Sequence, residues 1–544
     1  MIKKVIIKGY RKFKDFKFEP EGGMNIVVGD NESGKSTLFE AIIMALTGRI
    51  DGVRASEAIN PYMFNKDNVE NFFKNKELKN LPEFLIEVYL NAGDGDIQRL
   101  RGANNSLHED SVGLSIHAYF DLDYEKEIKD YFEQHDCPNI IPTEYYRVDW
   151  IDFSGRSIFK KPKDLGVMLI DSSNIISNKY ANYNTRNIIN SHIDAKDNNK
   201  ITSEYRSRCS NLAAQQISEI NEKLEEYYKE EKEWTIGLQP DQSNSSSWWN
   251  IFTPCVDNIP LNFIGQGYQA CSKTVLTFSQ KSDKSNYIFM EEPENHLSYS
   301  TLRKLLYFIE DNYSEKQIFI STHSSYVLNR MGLDKISLIN NGKISKFSNM
   351  NPDTVEYFKK LSGFNTLRIL LSKKAVIVEG PSDEIVFNKF FKDTYDKEPL
   401  DCGIDVIAIN GVAFRRCLEL ADILSKDIVV LRDNDNKNPE EWKEKLCKNM
   451  LNDYKNKIFI GEVNDGNTLE TQIVNANSNN KEKLKKILNY SESDNNNNIA
   501  KFMINNKTDS ALLIAESDVE LNQPSYIKNA IESLKEIANQ SNNK

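Results

Sequence analysis

The sequence predicts an α/β protein in which two consecutive parts each carry a parallel sheet covered by helices. In the first part, strand-like alternation over 2–29 leads into a glycine-rich loop and a helical pattern over 35–47. Strands and helices alternate again over 260–347, and a new strand–helix series begins near residue 371. Because such alternation is typical of parallel sheets, we expect the boundary between the two parts near 371.

The overall charge of the chain is acidic. Its 544 residues include 69 lysines and arginines and 80 aspartates and glutamates, which gives a net charge of −11. This balance excludes a generally polybasic nucleic-acid binder. Any contact with nucleic acid must therefore come from local patches or from metal ions that bridge to phosphate.

The sequence lacks the segments that would direct a protein to a membrane or out of the cell. No segment has the roughly 20 apolar residues needed to span a bilayer, and the N-terminal residues lack the apolar region of a secretion signal. The seven cysteines never form a C-x-x-C pair, which argues against a zinc ribbon or a disulfide framework. We expect a cytoplasmic protein with no membrane partner.

Changes in composition and hydrophobic pattern divide the chain into four segments. We expect residues 1–171 and 238–370 to form the two portions of one α/β head. Residues 172–237 interrupt this head with a polar, Asn-rich stretch that ends in a long charged helical pattern. That helix is either solvated throughout or an insertion that serves as a dimerisation arm. Residues 371–544 form the second part.

A phosphate-binding loop is predicted between the strand at 25–28 and the helical stretch at 35–47. Residues 29–36 read GDNESGKS and fit the pattern G-x-x-x-x-G-K-[ST]. In such a loop the backbone N–H groups surround the phosphates, the lysine reaches the β- and γ-phosphate oxygens, and the serine hydroxyl binds Mg²⁺. The predicted ATP-binding residues of this loop are Gly29, Asn31, Gly34, Lys35, Ser36 and Thr37.

A second acidic element is predicted at the end of an apolar strand, in the sequence YIFMEEPE over 287–294. Here Glu291 would hold the ATP-bound Mg²⁺ and Glu292 would polarise the attacking water. His323 follows another apolar strand and is predicted to sense the γ-phosphate. An acidic strand end alone can be a solvated cap, but the loop and the later histidine favour an ATPase site.

This order of motifs resembles the ATP-binding-cassette (ABC) heads of recombination and repair proteins, as in the structural-maintenance-of-chromosomes (SMC) ATPases. Such heads carry a signature motif that contacts ATP bound on a partner head. Gly265, Gly267 and Gln269 stand at that place, in GQGYQ rather than the usual Leu-Ser-Gly-Gly-Gln. Glu291 likewise stands where Asp is commoner. The resemblance implies a homodimer or higher homo-oligomer with ATP sandwiched between heads.

A carboxylate cluster is predicted in the second part of the chain. Glu379 ends one predicted strand and Asp383 falls in the first turn of the next helix. Asp433 and Asp435 stand at the end of the strand that comes two strands later. The i, i+2 spacing points the last two to one side if the strand continues. Because the carboxyl ends of parallel strands meet at one edge, these acids can converge on Mg²⁺ or Mn²⁺. Asp383 alone would more often be a helix cap.

The E-G-x-x-D and D-x-D motifs together resemble the TOPRIM domain of topoisomerases, primases and some nucleases. A P-loop head followed by TOPRIM is similar to the OLD (overcoming lysogenization defect) family of ATP-dependent nucleases, which are often found in anti-phage defence. In that family a later acid and a basic residue complete the nuclease site. The matching candidates are Glu470 and Lys507, with Lys501 as a rival basic residue.

The resemblance implies a fold made of an ABC/SMC-like P-loop ATPase head with a helical dimerisation insertion, followed by a TOPRIM domain with a Rossmann-like parallel sheet. It also implies an ATP-regulated, Mg²⁺-dependent DNA endonuclease, which acts alone or with a helicase, a reverse transcriptase or another defence protein. The cysteine spacing offers no zinc module for a primase, and an SMC-like head is the wrong companion for a topoisomerase. An ATP-switched DNA-binding or assembly module with an inactive TOPRIM domain stays an open alternative.

Overall fold

In the computed structural model the chain forms two compact units, which are described separately. The first unit comprises Met1–Thr322 and Ile339–Ile344, and the second comprises His323–Leu338 and Ser345–Lys544. The predicted division into four segments stays a prediction, since much of 172–237 lies outside the described residues. The structure describes residues 1–30, 32–93, 95–133, 139–162, 165–171, 193–212, 217–227, 238, 255–260, 263–278, 286–312, 316–340, 342–346, 351–354, 356, 365–372, 374–409, 414–423, 426–450, 452–492 and 495–535.

The elements of the first unit alternate between strands and helices along the chain. Its strands are β1 (Ile2–Tyr10), β2 (Phe13–Phe18), β3 (Met24–Val28), β4 (Arg49–Ile50), β5 (Val53–Arg54), β6 (Phe84–Leu90), β7 (Arg101–Gly102), β8 (Ser111–Phe120), β9 (Tyr146–Asp152), β10 (Val167–Asp171), β11 (Cys255–Val256), β12 (Ile259–Pro260), β13 (Tyr287–Glu291) and β14 (Gln317–Ser321). Its helices are α1 (Lys35–Thr47), α2 (Ala55–Ala58), α3 (Lys66–Asn75), α4 (Glu125–Glu133), α5 (Ala195–Leu212), α6 (Ser218–Tyr227), α7 (Gln266–Phe278) and α8 (Tyr299–Asn312).

One sheet of the first unit is antiparallel. Its strands run in the order β2-β1-β6-β8-β7, and β9 also pairs with β8. The register places Val5 opposite both Phe18 and Val88. In β2 the side chains of Phe16 and Phe18 are buried and that of Lys17 is exposed, so one face of this sheet packs into the core.

A parallel sheet of the first unit contains β10-β13-β14-β3 in that order. Its strands are almost wholly buried, as expected for strands covered on both faces. Phe289 and Phe319 on neighbouring strands stack with ring centroids 4.8 Å apart, and Phe39 of α1 packs against both. The register aligns the carboxyl ends of β13, β14 and β3 at one edge.

The chain continues through α9 (Ser325–Met331), β15 (Ile336–Asn340) and β16 (Lys343–Lys346). The later strands of the second unit are β17 (Lys374–Val378), β18 (Ile404–Ala408), β19 (Ile428–Arg432) and β20 (Ile458–Ile460). Its later helices are α10 (Asn365–Leu371), α11 (Pro381–Tyr395), α12 (Phe414–Ile423), α13 (Pro439–Cys447), α14 (Leu469–Ala476), α15 (Lys481–Ile487), α16 (Asn496–Asn505), α17 (Lys507–Glu516) and α18 (Ser525–Ser533).

The sheet of the second unit is parallel throughout, with the strand order β18-β17-β19-β20. The strand–helix series predicted from about residue 371 onward thus forms the parallel sheet expected for it. Helices α11, α14, α16, α17 and α18 contribute to a single apolar core with the sheet. The predicted α/β class is therefore confirmed. Among the described helices, none combines the length and the apolar character required to cross a membrane.

Candidate ATP site and carboxylate cluster

The glycine-rich loop lies at the carboxyl edge of the parallel sheet in the first unit, between β3 and α1. Gly34 precedes α1 with φ of +108°, a conformation that favours glycine. A side chain at Gly29 would place its first carbon 2.4 Å from Ser33 Oγ, so this position also needs glycine. Lys35 is only 7% exposed, and its ammonium group donates to the Gly29 carbonyl at 2.9 Å. The lysine thus lies folded over the loop.

The sheet brings the predicted Mg²⁺ ligands of the ATP site together. Ser36 Oγ donates a hydrogen bond of 2.9 Å to Glu291 Oε2. Ser36 opens α1 after β3, whereas Glu291 ends β13, and β14 lies between the two strands. Mg²⁺ prefers oxygen ligands, and both the hydroxyl and the carboxylate can supply one. This pair therefore fits the ion that accompanies ATP. Bound Mg²⁺ would offset phosphate charge at this position.

Glu292 lies beside the same lysine. Its backbone has φ of +46°, an uncommon conformation for a residue other than glycine. Its N–H donates to the Ser321 carbonyl at 2.9 Å, and its carboxylate accepts from Asn295 Nδ2 at 2.7 Å. Burial lowers the pKa of Lys35, and among the acids that oppose this effect Glu292 is the strongest. The acid predicted to polarise water is therefore close to the phosphate-binding lysine.

Three other predicted residues of the ATP site are less well defined. Thr37 is half-buried in the first turn of α1. Asn31 lies outside the described residues. His323 is half-buried and begins the segment His323–Leu338 of the second unit, two residues after β14 ends. Its proposed contact with the γ-phosphate stays a prediction.

The GQGYQ segment forms the start of α7. A side chain on Gly267 would come within 2.4 Å of the His296 carbonyl, so glycine permits this close approach. Gln269 is 4% exposed, and its side-chain amide donates to the Ile264 carbonyl at 3.0 Å. Gly265 has open space around its α-carbon. Because Gln269 is held within its own turn, its contact with ATP on a partner head stays a prediction.

Four carboxylates meet at the carboxyl edge of the sheet in the second unit. Glu379 directly follows β17, and Asp433 directly follows the neighbouring parallel strand β19. Asp383 lies in the first turn of α11 and Glu470 in the first turn of α14. The charges of the other three all act on Asp433. Four separate elements thus contribute one acid each to this carboxylate cluster.

The close packing of these acids is reflected in their acidities. Burial raises the pKa of Asp433 to about 8, and the charges of Asp383 and Glu379 add to the rise. Burial also raises the pKa of Asp383 to about 7, with Glu379 as the strongest acidic neighbour. Burial raises the pKa of Glu379 as well, against the opposing charge of Arg432. Carboxylates that repel each other in this way need protons or cations for charge balance.

The cluster offers oxygen ligands for a metal ion. In the part of the chain that the structure describes, three of its buried carboxylate oxygens accept no hydrogen bond: Glu379 Oε2, Asp433 Oδ1 and Glu470 Oε2. Buried oxygens without partners are costly, and Mg²⁺ or Mn²⁺ takes such ligands. No three His, Cys, Asp or Glu side chains among the described residues stand at metal-ligand spacing, so these acids would have to draw closer together to share an ion. Bound ions would polarise a phosphodiester here.

Asp383 also has the structural role that was weighed for it from the sequence. Its Oδ2 accepts a hydrogen bond of 3.1 Å from the Gly380 N–H at the start of α11. Asp433 similarly accepts from the Leu469 N–H, which belongs to the first turn of α14. Both carboxylates thus lie at helix N-termini, where negative charge is favoured. In this geometry each of the two aspartates can cap a helix and belong to the carboxylate cluster at the same time.

The strand-based argument for Asp435 was wrong, because β19 ends at Arg432 and does not continue through the D-x-D motif. Asp435 has φ of +51°, and its half-exposed side chain accepts from Arg432 at 2.8 Å. The guanidinium of Arg432 also lies 3.5 Å from the ring centroid of Trp442. Sequence reasoning missed Arg432, although it directly precedes the D-x-D motif. It places one fixed positive charge beside the acids.

The structure separates the two rival lysines. Lys507 begins α17, and its Nζ lies 3.8 Å from Glu470 Oε1. The positive charge of Lys507 also opposes the rise in the pKa of Glu379 that burial causes. Lys501 is exposed on α16, and within the described chain it forms no ion pair with the cluster. Proximity therefore favours Lys507 as the basic residue of this site.

Tyr526 also lies beside the carboxylate cluster, and the sequence did not indicate this. It lies on α18 with 4% of its surface exposed. Burial raises its pKa well above the ordinary value, and the charges of Asp433 and Asp383 add to the effect. Its hydroxyl is therefore held neutral beside the acids. No motif marks this residue, because only the packing of α18 brings it there.

Family models match both parts of the chain. A model described as an AAA domain matches residues 4–235. A second AAA domain model, whose description refers to AbiEii toxins of type IV toxin–antitoxin systems, matches 257–329. A model described as the TOPRIM domain of overcoming lysogenization defect-like proteins matches 370–435. No curated protein matches the chain.

Solved structures give weaker likenesses. The C-terminal region of the Burkholderia pseudomallei OLD protein is 18% identical over 31% of this chain and 98% of its own length, with a TM-score of 0.26. An SMC head domain from Thermotoga maritima is 11% identical over 64% of this chain and 98% of its own, with a TM-score of 0.28. An Smc head from Pyrococcus furiosus is 13% identical over 64% and 96%, with a TM-score of 0.32.

These structural scores are too low to carry an argument, so the assignment depends on the family models and the geometry. The AAA models cover the glycine-rich loop and the Glu291 strand, while the TOPRIM model covers Glu379, Asp383 and Asp433. An ATPase domain therefore precedes a TOPRIM domain of the nuclease type. The chain therefore combines AAA-type ATPase domains with an OLD-like TOPRIM domain.

Proposed function

We propose that this protein is an ATP-regulated, Mg²⁺-dependent endonuclease that nicks or cleaves DNA. The observation that carries the proposal is the carboxylate cluster, in which three buried oxygens accept no hydrogen bond among the described residues. A purely structural cluster would have these oxygens paired with donors. Divalent ions would satisfy them and would supply the charge that phosphodiester cleavage requires.

The proposed roles follow from position. Glu379, Asp433, Asp383 and Glu470 hold the ions, with Asp435 as a further predicted ligand through its place beside Arg432. Lys507 lies next to Glu470 and would stabilise the negative charge that develops on the phosphorus. In the ATPase domain, Lys35 and Ser36 bind the nucleotide. Glu291 holds its ion and Glu292 orients the attacking water.

We further propose a cytoplasmic homodimer that acts in anti-phage defence, alone or with a partner such as a helicase or a reverse transcriptase. The dimer proposal depends on the ABC-type order of the ATPase motifs, in which Gly265 and Gly267 would contact ATP on the second head. Light scattering should give a mass of at least twice the 62.6 kDa of one chain when ATP is bound. A strict monomer with full ATPase activity contradicts it.

A plasmid assay tests the nuclease proposal. Purified protein is incubated with supercoiled plasmid and Mg²⁺ or Mn²⁺, with and without ATP, and conversion to nicked or linear forms is followed on gels. We expect conversion that EDTA abolishes and that ATP changes in rate. The Lys35→Ala variant should lose only the ATP effect. Intact plasmid under every metal and nucleotide condition would instead favour an ATP-switched assembly module with an inactive TOPRIM domain.

A further inference from the structure

The first unit contains a cleft that is separate from the glycine-rich loop. It has a volume of about 710 Å³ and is lined by residues from the end of α1, from β4 and β5, and from β9 to β10. The loop lies at the start of α1 and the cleft at its end. At about 1.5 Å per residue, the 13 residues of α1 place them roughly 20 Å apart. The cleft is therefore not part of the ATP site.

The cleft is strongly basic, in contrast to the chain as a whole. Its lining includes five cationic side chains and one acidic side chain: Arg49, Arg54, Arg147, Lys160, Lys161 and Asp149. Asp149 is already paired with Arg147 at 2.8 Å and accepts from Tyr119 at 2.7 Å. Within the described chain, Arg49, Arg54, Lys160 and Lys161 have no carboxylate within 4.0 Å. Four positive charges therefore face the cleft without compensation.

The floor of the cleft is rigid. Trp150 donates its indole N–H to the Ala45 carbonyl at 2.8 Å, which fixes the ring against α1. A side chain on Gly48 would come within 2.5 Å of that ring, and Gly48 has φ of +66°, so only glycine fits here. The floor is thus built by packing rather than by a chance surface hollow.

The rim combines the charges with an exposed aromatic ring. Phe159 is 92% exposed and directly precedes Lys160 and Lys161. Protein surrounds Lys161 on several sides although its side chain still reaches solvent, and this partial burial lowers its pKa. An exposed aromatic ring beside lysines is typical of a surface on which nucleic-acid bases stack.

We propose that this cleft binds a single strand of DNA, with Arg49, Arg54, Lys160 and Lys161 on its phosphates and Phe159 against a base. The proposal rests on the proposed function to the extent that DNA is taken as the substrate. It also supplies the local basic patch that a chain with a net charge of −11 needs to hold nucleic acid. A single strand suits the cleft because its unpaired bases have free faces that can stack on the exposed ring of Phe159. The negative end of the α1 dipole faces the cleft, so side chains must supply the attraction.

The test is DNA binding by the full chain in EDTA, where no cutting occurs, measured by fluorescence anisotropy with a labelled 20-nucleotide single strand and the matching duplex. Each lost phosphate contact should lower the salt slope for a single strand by about 0.7, so the double variant Lys160→Ala/Lys161→Ala should lower it by about 1.4. Between 50 and 200 mM salt, wild-type affinity should then fall roughly sevenfold more than that of the variant. Phe159→Ala should weaken binding of the single strand about tenfold or more at unchanged slope.

The matched control removes two lysines of the same unit that lie outside the cleft, in Lys66→Ala/Lys74→Ala on α3. This control changes the net charge equally and should leave the slope unchanged. An unchanged slope in the cleft variant, an equal effect of the control, or tighter binding of the duplex would overturn the proposal. Plasmid nicking is scored separately. If the protein binds the single strand through the cleft but never cuts DNA, the nuclease proposal is refuted and the proposal for the cleft stands.

Discussion

Neutralising one acid of the carboxylate cluster should stabilise the metal-free protein, and Asp433→Asn is the clearest case. Burial and the neighbouring acids raise the pKa of Asp433 from its ordinary 3.8 to about 8. The folded chain therefore keeps a proton that the unfolded chain releases between these values. Because the folded state binds more protons in this window, stability must fall as pH rises from about 4 to about 8.

The size of the effect follows from the same pKa values. At about 1.4 kcal/mol for each tenfold change in acidity, holding Asp433 in the folded chain costs about 3 kcal/mol at pH 6 and about 6 kcal/mol at pH 9. Asparagine has nearly the same shape and can still accept from the Leu469 N–H, but it cannot ionise. For a unit of this size, the gain corresponds to a rise in Tm of roughly 2–4 °C for each kcal/mol.

Scanning calorimetry of the full chain in EDTA, from pH 5 to pH 9, measures this difference. We expect the Tm of Asp433→Asn to exceed that of the wild type by an amount that grows with pH. Added Mg²⁺ should narrow the gap, because only the intact cluster gains stability from the ion. Asp435→Asn is the matched control, since it removes a half-exposed charge that is paired with Arg432 and should not stabilise. Equal Tm values for Asp433→Asn and the wild type at pH 9 would refute the reasoning.

Three further predictions concern binding. Lys35→Ala should abolish binding of a fluorescent ATP analogue, because the ammonium that spans the loop is lost; wild-type affinity would contradict the ATP site. Ser36→Ala should weaken Mg²⁺-dependent ATP binding while sparing binding in EDTA, since it removes one of the two paired ligands; equal losses in both conditions would contradict that role. Mg²⁺ binding at pH 7 should release about one proton from Asp383 and Asp433, measured by calorimetry in buffers of different ionisation enthalpy, and should tighten from pH 6.5 to 9. No proton release would contradict the acidities of the cluster.

These acidities depend on every charged group that faces the cluster. The charges of Glu379 and Glu470 raise the pKa values of Asp383 and Asp433, and the charge of Asp435 raises the pKa of Glu379. Arg432 and Lys507 oppose this effect at Glu379. Tyr526 contributes no charge, because its hydroxyl stays neutral throughout the range.

The sequence was sufficient where function lies in local motifs on regular elements. The glycine-rich loop is contiguous, so its place between β3 and α1 could be predicted from residues 29–36 alone. Glu379 and Asp433 directly follow buried strands, and the parallel topology then brings the strand ends together. The predicted helix start likewise placed Asp383 correctly in a first turn, whereas Glu470 was a candidate through the family resemblance alone.

The sequence was insufficient where geometry depends on tertiary packing. The period-two argument for Asp435 assumed a continuing strand, but the backbone turns to positive φ at that residue. Tyr526 reaches the cluster only because α18 packs against β19 and β20. The basic cleft assembles Arg54 and Lys160, which are about a hundred residues apart and carry no shared motif. The spacing of residues along the chain does not indicate which distant residues come together in the fold.

The central claim is that the carboxylate cluster is a metal-dependent nuclease site, and the rate of plasmid nicking in Mg²⁺ tests it most directly. Glu379→Gln keeps the size of the side chain and removes one charged ligand, while Glu444→Gln makes the same change at an exposed position of the same unit. We expect Glu379→Gln to nick on the order of 100-fold more slowly or worse with ATP binding intact, and Glu444→Gln to match the wild type. Wild-type nicking by Glu379→Gln would contradict the account.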